Sequence, residues 1–255
     1  MKILITGANG YIGKCLIRDL SEYDIIAKSR QELNISDKEQ VDSFFANNEI
    51  DYVIHTATKG GKRTLPDTEK VYETDLAMFN NLAEHSDKFK KMFVFGSGAE
   101  RTLKPYFYGA AKKEISIKAT NYNNVVVLRL YGCFGELEEP QRFFKNNITQ
   151  YKNNETMEVH NNIQMDFFYD KDIATIIKMY FEDNTLPYDL DLVYSQKHKL
   201  GNLAEMINKL GEHKVPIVIG GSNGLDYISP HTLPSEIESE LIGLEEGLNQ
   251  MYNEC

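Results

Sequence analysis

Short apolar runs rich in isoleucine and valine alternate along this chain with longer segments whose apolar positions recur every three or four residues. The short runs lie at Lys2–Thr6, Asp24–Lys28, Tyr52–Thr56, Lys91–Gly96 and Asn124–Leu130. They predict strands, since a strand covered on both faces reads as a continuous apolar run. Between the first two, Ile12, Leu16, Ile17 and Leu20 recur at helical spacing and give a helix one apolar stripe. The same period predicts helices at Lys38–Asn47, Asp67–Ser86 and Tyr108–Thr120. Strand and helix in alternation are the pattern of βαβ units, so the expected fold class is α/β, a doubly wound and mostly parallel sheet.

Past residue 130 the rhythm loosens. Gly132 to Pro140 reads as a loop, and helices are expected over Gln141–Lys152, Asp170–Glu182, Lys197–Leu210 and Ile237–Asn253. The expected division is a core over residues 1–130 and a smaller, interleaved substrate-binding lobe over 131–255, with segments returning to the core. The net charge of -10 argues against a nucleic-acid partner. Cys15, Cys133 and Cys255 lack the spacing of a disulfide framework or a metal site, and the six histidines form no ligand cluster, so no metal is expected. No run approaches membrane-spanning length. The chain starts directly on a strand rather than on a signal peptide, so it is expected in the cytoplasm, off the membrane. There the Asn147-Ile148-Thr149 glycosylation pattern is accidental.

The first strand leads straight into Gly7-Ala8-Asn9-Gly10-Tyr11-Ile12-Gly13. Glycine at these three places allows a tight turn, a close approach of backbone to a pyrophosphate, and close packing of helix on strand. A diphosphate is favoured there by the N–H groups and dipole of the helix start. A strand, this loop and a helix in that order are the Rossmann fingerprint, so residues 7 and 9 to 13 are candidate cofactor residues. An acidic residue at the tip of the second strand would select NAD, whereas arginine suits the extra phosphate of NADP. The chain reads Lys28-Ser29-Arg30 there, so Ser29 and Arg30 point to NADP, with NAD second.

Tyr108-Gly109-Ala110-Ala111-Lys112 sets a phenol and an ammonium on one face of a helix. A nearby ammonium lowers a tyrosine pKa, making Tyr108 a usable acid or base for a carbonyl or alcohol oxygen. Ser97 follows the apolar run Met92-Phe93-Val94-Phe95, where its hydroxyl can share the same oxygen.

A glycine loop, a serine after a strand and then Tyr-x-x-x-Lys resemble the extended short-chain dehydrogenase/reductase family, of the NAD-dependent epimerase/dehydratase type. Ile54-His55-Thr56-Ala57-Thr58 resembles that family's cofactor-lining fourth strand, and Asp166-Phe167-Phe168-Tyr169 with Asp172 resembles its R-D-F-x-Y-V-x-D segment. By this likeness Ser97, Tyr108 and Lys112 are the catalytic trio. Thr56, Ala57 and Thr58 line the cofactor, with Tyr108 and Lys112 also meeting it. The resemblance implies a nucleotide-sugar substrate and a homodimer built on helix stripes such as Tyr72, Leu76, Phe79 and Leu82 with Ile115 and Ile117.

Family dehydratases carry Asp-Glu directly after the serine or threonine, and this chain has Gly98-Ala99, with Glu100 one place late. Ser29 to Asn34 and Lys59-Gly60-Gly61 resemble GDP-fucose synthases most closely, alongside dTDP-4-dehydrorhamnose reductases. The epimerising cysteine of the former is Ala99 here, and the arginine expected before Asp166 is Met165. The expected activity is therefore NADPH-dependent reduction of a nucleoside-diphosphate 4-keto-6-deoxy sugar in surface-glycan sugar biosynthesis. The alternatives are a sugar-nucleotide 4-epimerase with tightly bound NAD and a non-catalytic NADP-binding regulator. Cys133 reads as a packing residue, Arg129 and Arg142 as exposed arginines, and Lys62-Arg63 as a solvated turn.

Overall fold

A computed structural model describes residues 1–61, 66–102, 106–221 and 224–255; Lys62 and Arg63 lie outside the described residues. The chain forms two compact units, one made of Met1–Arg129 with Met179–Leu190 and the other of Leu130–Lys178 with Asp191–Cys255.

The first unit alternates β1 (Lys2–Thr6), α1 (Tyr11–Asp19), β2 (Asp24–Lys28), α2 (Lys38–Asn47), β3 (Tyr52–His55), α3 (Glu69–Ala83), β4 (Lys91–Ser97), α4 (Phe107–Ala119) and β5 (Val125–Leu130). In chain order there follow β6 (Cys133–Phe134), α5 (Phe143–Lys152), β7 (Met157–Val159), β8 (Phe168–Tyr169), α6 (Asp170–Glu182) and β9 (Asp189–Leu192). The last elements are α7 (Leu200–Ile207), β10 (Ile217–Ile219), α8 (Ser235–Glu238) and α9 (Leu244–Glu254).

Among the described residues the main sheet has six strands in the order β2-β1-β3-β4-β5-β9. β1 pairs in parallel with both β2 and β3, and β3 with β4. Successive strands step outward from β1 in opposite directions, which makes the end of β1 a topological switch point, where open α/β sheets bind ligands. Side chains alternate between the two faces. Leu4, Val53, Met92, Val94 and Val127 bury one face against Val41, Phe45, Met78, Phe79, Leu82 and Ile115 of α2, α3 and α4. On the other face Phe93 meets Tyr180 edge-on at 5.6 Å, and Tyr52 lies 4.4 Å from Phe181. Both faces are covered by helices, so the unit is a Rossmann-type doubly wound α/β fold.

That packing uses up most of the apolar stripe considered for a dimer. Phe79, Leu82 and Ile115 are buried in the unit's own core, while Ile117 is 54% exposed and Leu76 is half-buried.

The second unit holds two small parallel ladders, β6 with β8 and β7 with β10. Its core is aromatic: Phe134 lies tilted against Phe144, with ring centroids 4.6 Å apart, and against Tyr169 at 5.2 Å. The closing helix expected over Ile237–Asn253 is instead two helices, α8 and α9. The buried Asp172 carboxylate accepts N–H bonds from Ile242 (2.8 Å) and Gly243 (3.0 Å), and Gly243 turns at φ 84°, outside the helical range. Asn147, half of the glycosylation pattern, is buried in α5, and Cys133 is buried in β6. No helix among the described residues is long and apolar enough to cross a membrane.

Candidate functional site

The glycine loop is shaped by what a side chain would strike. Gly7 has φ 76°, and a Cβ there would lie 2.6 Å from the Ala57 nitrogen and 2.8 Å from Thr56 Oγ1. A Cβ at Gly13 would lie 2.5 Å from the Gly7 carbonyl oxygen, so the start of α1 can rest on the end of β1 only without one. Thr56 fastens the neighbouring loop by donating its hydroxyl to the Thr6 carbonyl at 2.8 Å. Gly10 caps α1 without any side-chain bond, the first turn holds no acidic residue, and Asn9 and Gly10 are exposed. An uncapped, carboxylate-free helix start at a switch point fits a dinucleotide diphosphate. Tyr11 and Ile12 are half-buried in the first turn of α1.

Beneath this loop, Thr6 Oγ1 and His55 Nδ1 are hydrogen-bonded at 2.9 Å. Burial, and then the positive charge of Lys112, push the His55 imidazole down to about 3, so it is a neutral structural group. Thr58 donates its hydroxyl to Asp75 at 2.7 Å, and the Lys59 N–H donates to the other oxygen of the same buried carboxylate at 2.7 Å.

At the end of β2, Ser29 and Arg30 stand side by side, with Arg30 exposed. Ser29 is not open, because its N–H and hydroxyl both donate to Glu32 Oε2, at 2.8 and 2.6 Å. Those two bonds, and then the charge of Lys28, hold the Glu32 carboxyl below the usual carboxylate range. No carboxylate was expected at this tip, and one lies against it.

Ser97, Tyr108 and Lys112 come together. Ser97 closes β4 at the carboxyl end of the sheet, and its side chain acts on the Tyr108 phenol in the sense that favours the phenolate. Lys112 follows one helical turn after Tyr108, its Nζ 5.7 Å from the Tyr108 ring centroid and donating to the Phe95 carbonyl at 2.8 Å. Gly60 and Gly61 lie against the tyrosine; a Cβ on Gly61 would come within 2.9 Å of Tyr108 Cζ. The expected lowering of the tyrosine pKa is not what these surroundings do. Burial pushes the Tyr108 phenol up to about 12; Ser97 opposes this, while Asp75, Glu100 and Asp67 add to it. Lys112, its pKa lowered by burial against the pull of Asp75 and Glu100, donates a hydrogen bond to the Phe95 backbone carbonyl.

Two buried acids of this site were not singled out as site residues. Asp75 leaves no trace in the pattern, since its partners are 16 and 17 residues away in the chain. Glu100 was legible, because Ser97…Glu100 has the spacing of a capping box, and the structure builds one. The exposed-arginine reading fails for Arg129, which is buried on Glu100 at 3.0 Å and Asp189 at 2.7 Å. In the second unit, Asp166 finds its cation in Lys197 at 2.8 Å, with Met165 beside it instead of the arginine of the family pattern.

A Rossmann-type sheet with a glycine loop at its switch point and a Ser–Tyr–Lys set at a strand end defines a class of nucleotide-binding proteins. The chain belongs to the NAD dependent epimerase/dehydratase family, whose model matches residues 3–189. It is 29% identical over 104 residues to GDP-L-fucose synthase of Escherichia coli (strain K12), a match covering 38% of this chain and 32% of that enzyme. The chain thus matches about a third of the length of this curated relative. Among solved structures it is similar to a GDP-mannoheptose C4 reductase from Campylobacter jejuni with NADP bound, with TM-score 0.78, 19% identity and coverage of 99% and 97% of the two chains. It is also similar to UDP-glucose 4-epimerase from Thermotoga maritima with UDP-glucose, with TM-score 0.78, 18% identity and coverage of 99% and 98%. Both likenesses are of fold.

Proposed function

We propose that this chain is an NADPH-dependent reductase of a nucleoside-diphosphate-linked 4-keto-6-deoxy sugar, serving surface-glycan sugar biosynthesis. The carrying observation is that Ser97 closes β4 beside the Tyr108 phenol, with Lys112 one turn along α4 and its Nζ 5.7 Å from the Tyr108 ring centroid. A ketone reductase needs a protonated donor, and a phenol held near 12 keeps its proton throughout the physiological range. Tyr108 would give that proton to the sugar C4 oxygen, Ser97 would hold the same oxygen, and Lys112 would hold the cofactor ribose. When bound at the glycine loop, NADPH supplies the hydride that completes the alcohol. Residues 7 and 9 to 13, with Thr56, Ala57 and Thr58, would hold it, and the exposed Arg30 would meet its extra phosphate, with Ser29 joining it only if its bonds to Glu32 are given up. Dehydration is disfavoured, since Glu100 is turned into the core and cannot serve a leaving hydroxyl. The proposal includes substrate binding by the second unit and a homodimer using Tyr72, Leu76 and Ile117, the part of the stripe not buried in the core.

A second reading, a 4-epimerase with tightly held NAD, is favoured by Glu32, a carboxylate acceptor beside the tip of β2 that suits a ribose hydroxyl. The test is loss of reduced-nicotinamide absorbance with NADPH, then NADH, against a panel of nucleotide-linked 4-keto-6-deoxy sugars. Stoichiometric consumption, faster with NADPH, supports the reductase. Interconversion of C4 epimers without consumption supports the epimerase.

A further inference from the structure

Glu100 joins three elements of the candidate site. One carboxylate oxygen accepts the Ser97 N–H at 2.6 Å, and the other accepts the Ser116 hydroxyl at 2.8 Å and Arg129 Nε at 3.0 Å. Ser97 ends β4 and Arg129 belongs to β5. Ser116 lies on α4 at positions i+8 from Tyr108 and i+4 from Lys112, hence on their helix face. Glu100 is 7% exposed, and a Cβ on Gly96 would fall 2.5 Å from its Oε1, so the strand end is shaped to admit the carboxylate. A capping box alone would need only the Ser97 and Glu100 contacts. The additional bonds to Ser116 and Arg129 go beyond it.

We propose that Glu100 is a positioning residue that fixes Ser97 relative to Tyr108 by tying β4, α4 and β5 together. The proposal rests on the trio assigned above. A hydroxyl on a strand end and a phenol on a separate helix stay in register only if the two elements cannot slide, and loss of alignment is costly in rate. Glu100 also adds negative charge near the phenol, together with Asp75 from α3 and Asp67 ahead of it. Opposing cations are Lys112 on α4 and Arg129 on β5, the latter shared with Asp189 of β9.

The test compares Glu100→Gln, Ser116→Ala and Tyr108→Phe with the unaltered protein, reading kcat, KM and pH dependence of reduction together with direct NADPH binding. Glu100→Gln removes a negative charge and leaves Arg129 less compensated, and both changes lower the tyrosine pKa. The alkaline limb of kcat should therefore move by about one unit toward neutral pH. Its kcat should fall about tenfold to a hundredfold, with NADPH binding unchanged. Ser116→Ala keeps the charge and loses only the tie to α4; kcat should fall severalfold with the limb unmoved. If Glu100→Gln does not fold, the Ser116→Ala result decides. Wild-type kcat and pH limb in the folded variants would overturn the inference. An active Tyr108→Phe would instead overturn the catalytic reading beneath it.

Discussion

A phenol set among carboxylates holds its proton, which suits Tyr108 to giving one to a ketone oxygen. With its pKa near 12, reduction should be flat across neutral pH and decline only as pH climbs toward that value. Tyr108→Phe should lower turnover about 10²–10⁴-fold, while NADPH binding stays near wild type, as read by nicotinamide fluorescence. Loss of both together would make the residue structural. At the tip of β2, Arg30→Ala should weaken NADPH far more than NADH in the same binding assay, and equal losses would sink its role as a phosphate contact. Burial pushes the Glu138 carboxyl up to about 7, against the pull of Arg142 and Lys145. A carboxyl raised on folding contributes stability below its unfolded pKa and loses it as pH rises through the folded value. Stability should therefore drop between about pH 4.5 and pH 7, by up to roughly 3 kcal/mol, with a matching fall in melting temperature. Glu138→Gln should flatten that drop; an unchanged slope would place the titrating group elsewhere.

At the scale of elements, the start of α1 is the most constrained contact of the glycine loop. Gly13→Ala would force a methyl to 2.5 Å from the Gly7 carbonyl, a backbone atom that cannot swing aside. We expect a cost of about 1–3 kcal/mol in chemical unfolding and a marked loss of dinucleotide affinity. Wild-type affinity would show that the loop does not carry the diphosphate. The longer elements were legible from an unbroken apolar run in the strands or several turns of helical period in the helices: β1, β2, α2 and α6 occur at the residues the pattern gives. β6, β7, β8 and β10 have two or three residues each, too few to show an alternation. The break between α8 and α9 was hidden for a different reason. It depends on Asp172, 70 residues away in the chain, accepting the Ile242 N–H.

For the whole molecule, the sequence carried five of the sheet's six strands, missing β9, and the glycine, serine and tyrosine positions, each anchored to the end of a strand or the start of a helix. It did not carry the electrostatics around them. Arg129 looked like surface and is buried, and Lys112 looked like the tyrosine's activator and donates to the Phe95 carbonyl. Such facts arise from contacts between distant segments, which no local period records. Net transfer of hydride to the sugar is read by following an isotope. The protein would be incubated with NADPH carrying deuterium at the transferring position and a nucleotide-linked 4-keto-6-deoxy sugar, and the product weighed by mass spectrometry. One deuterium per product molecule is expected, with Tyr108→Phe forming the same labelled product about 10²–10⁴-fold more slowly. Turnover to an isomer of unchanged mass, with the NADPH left unspent, would contradict it.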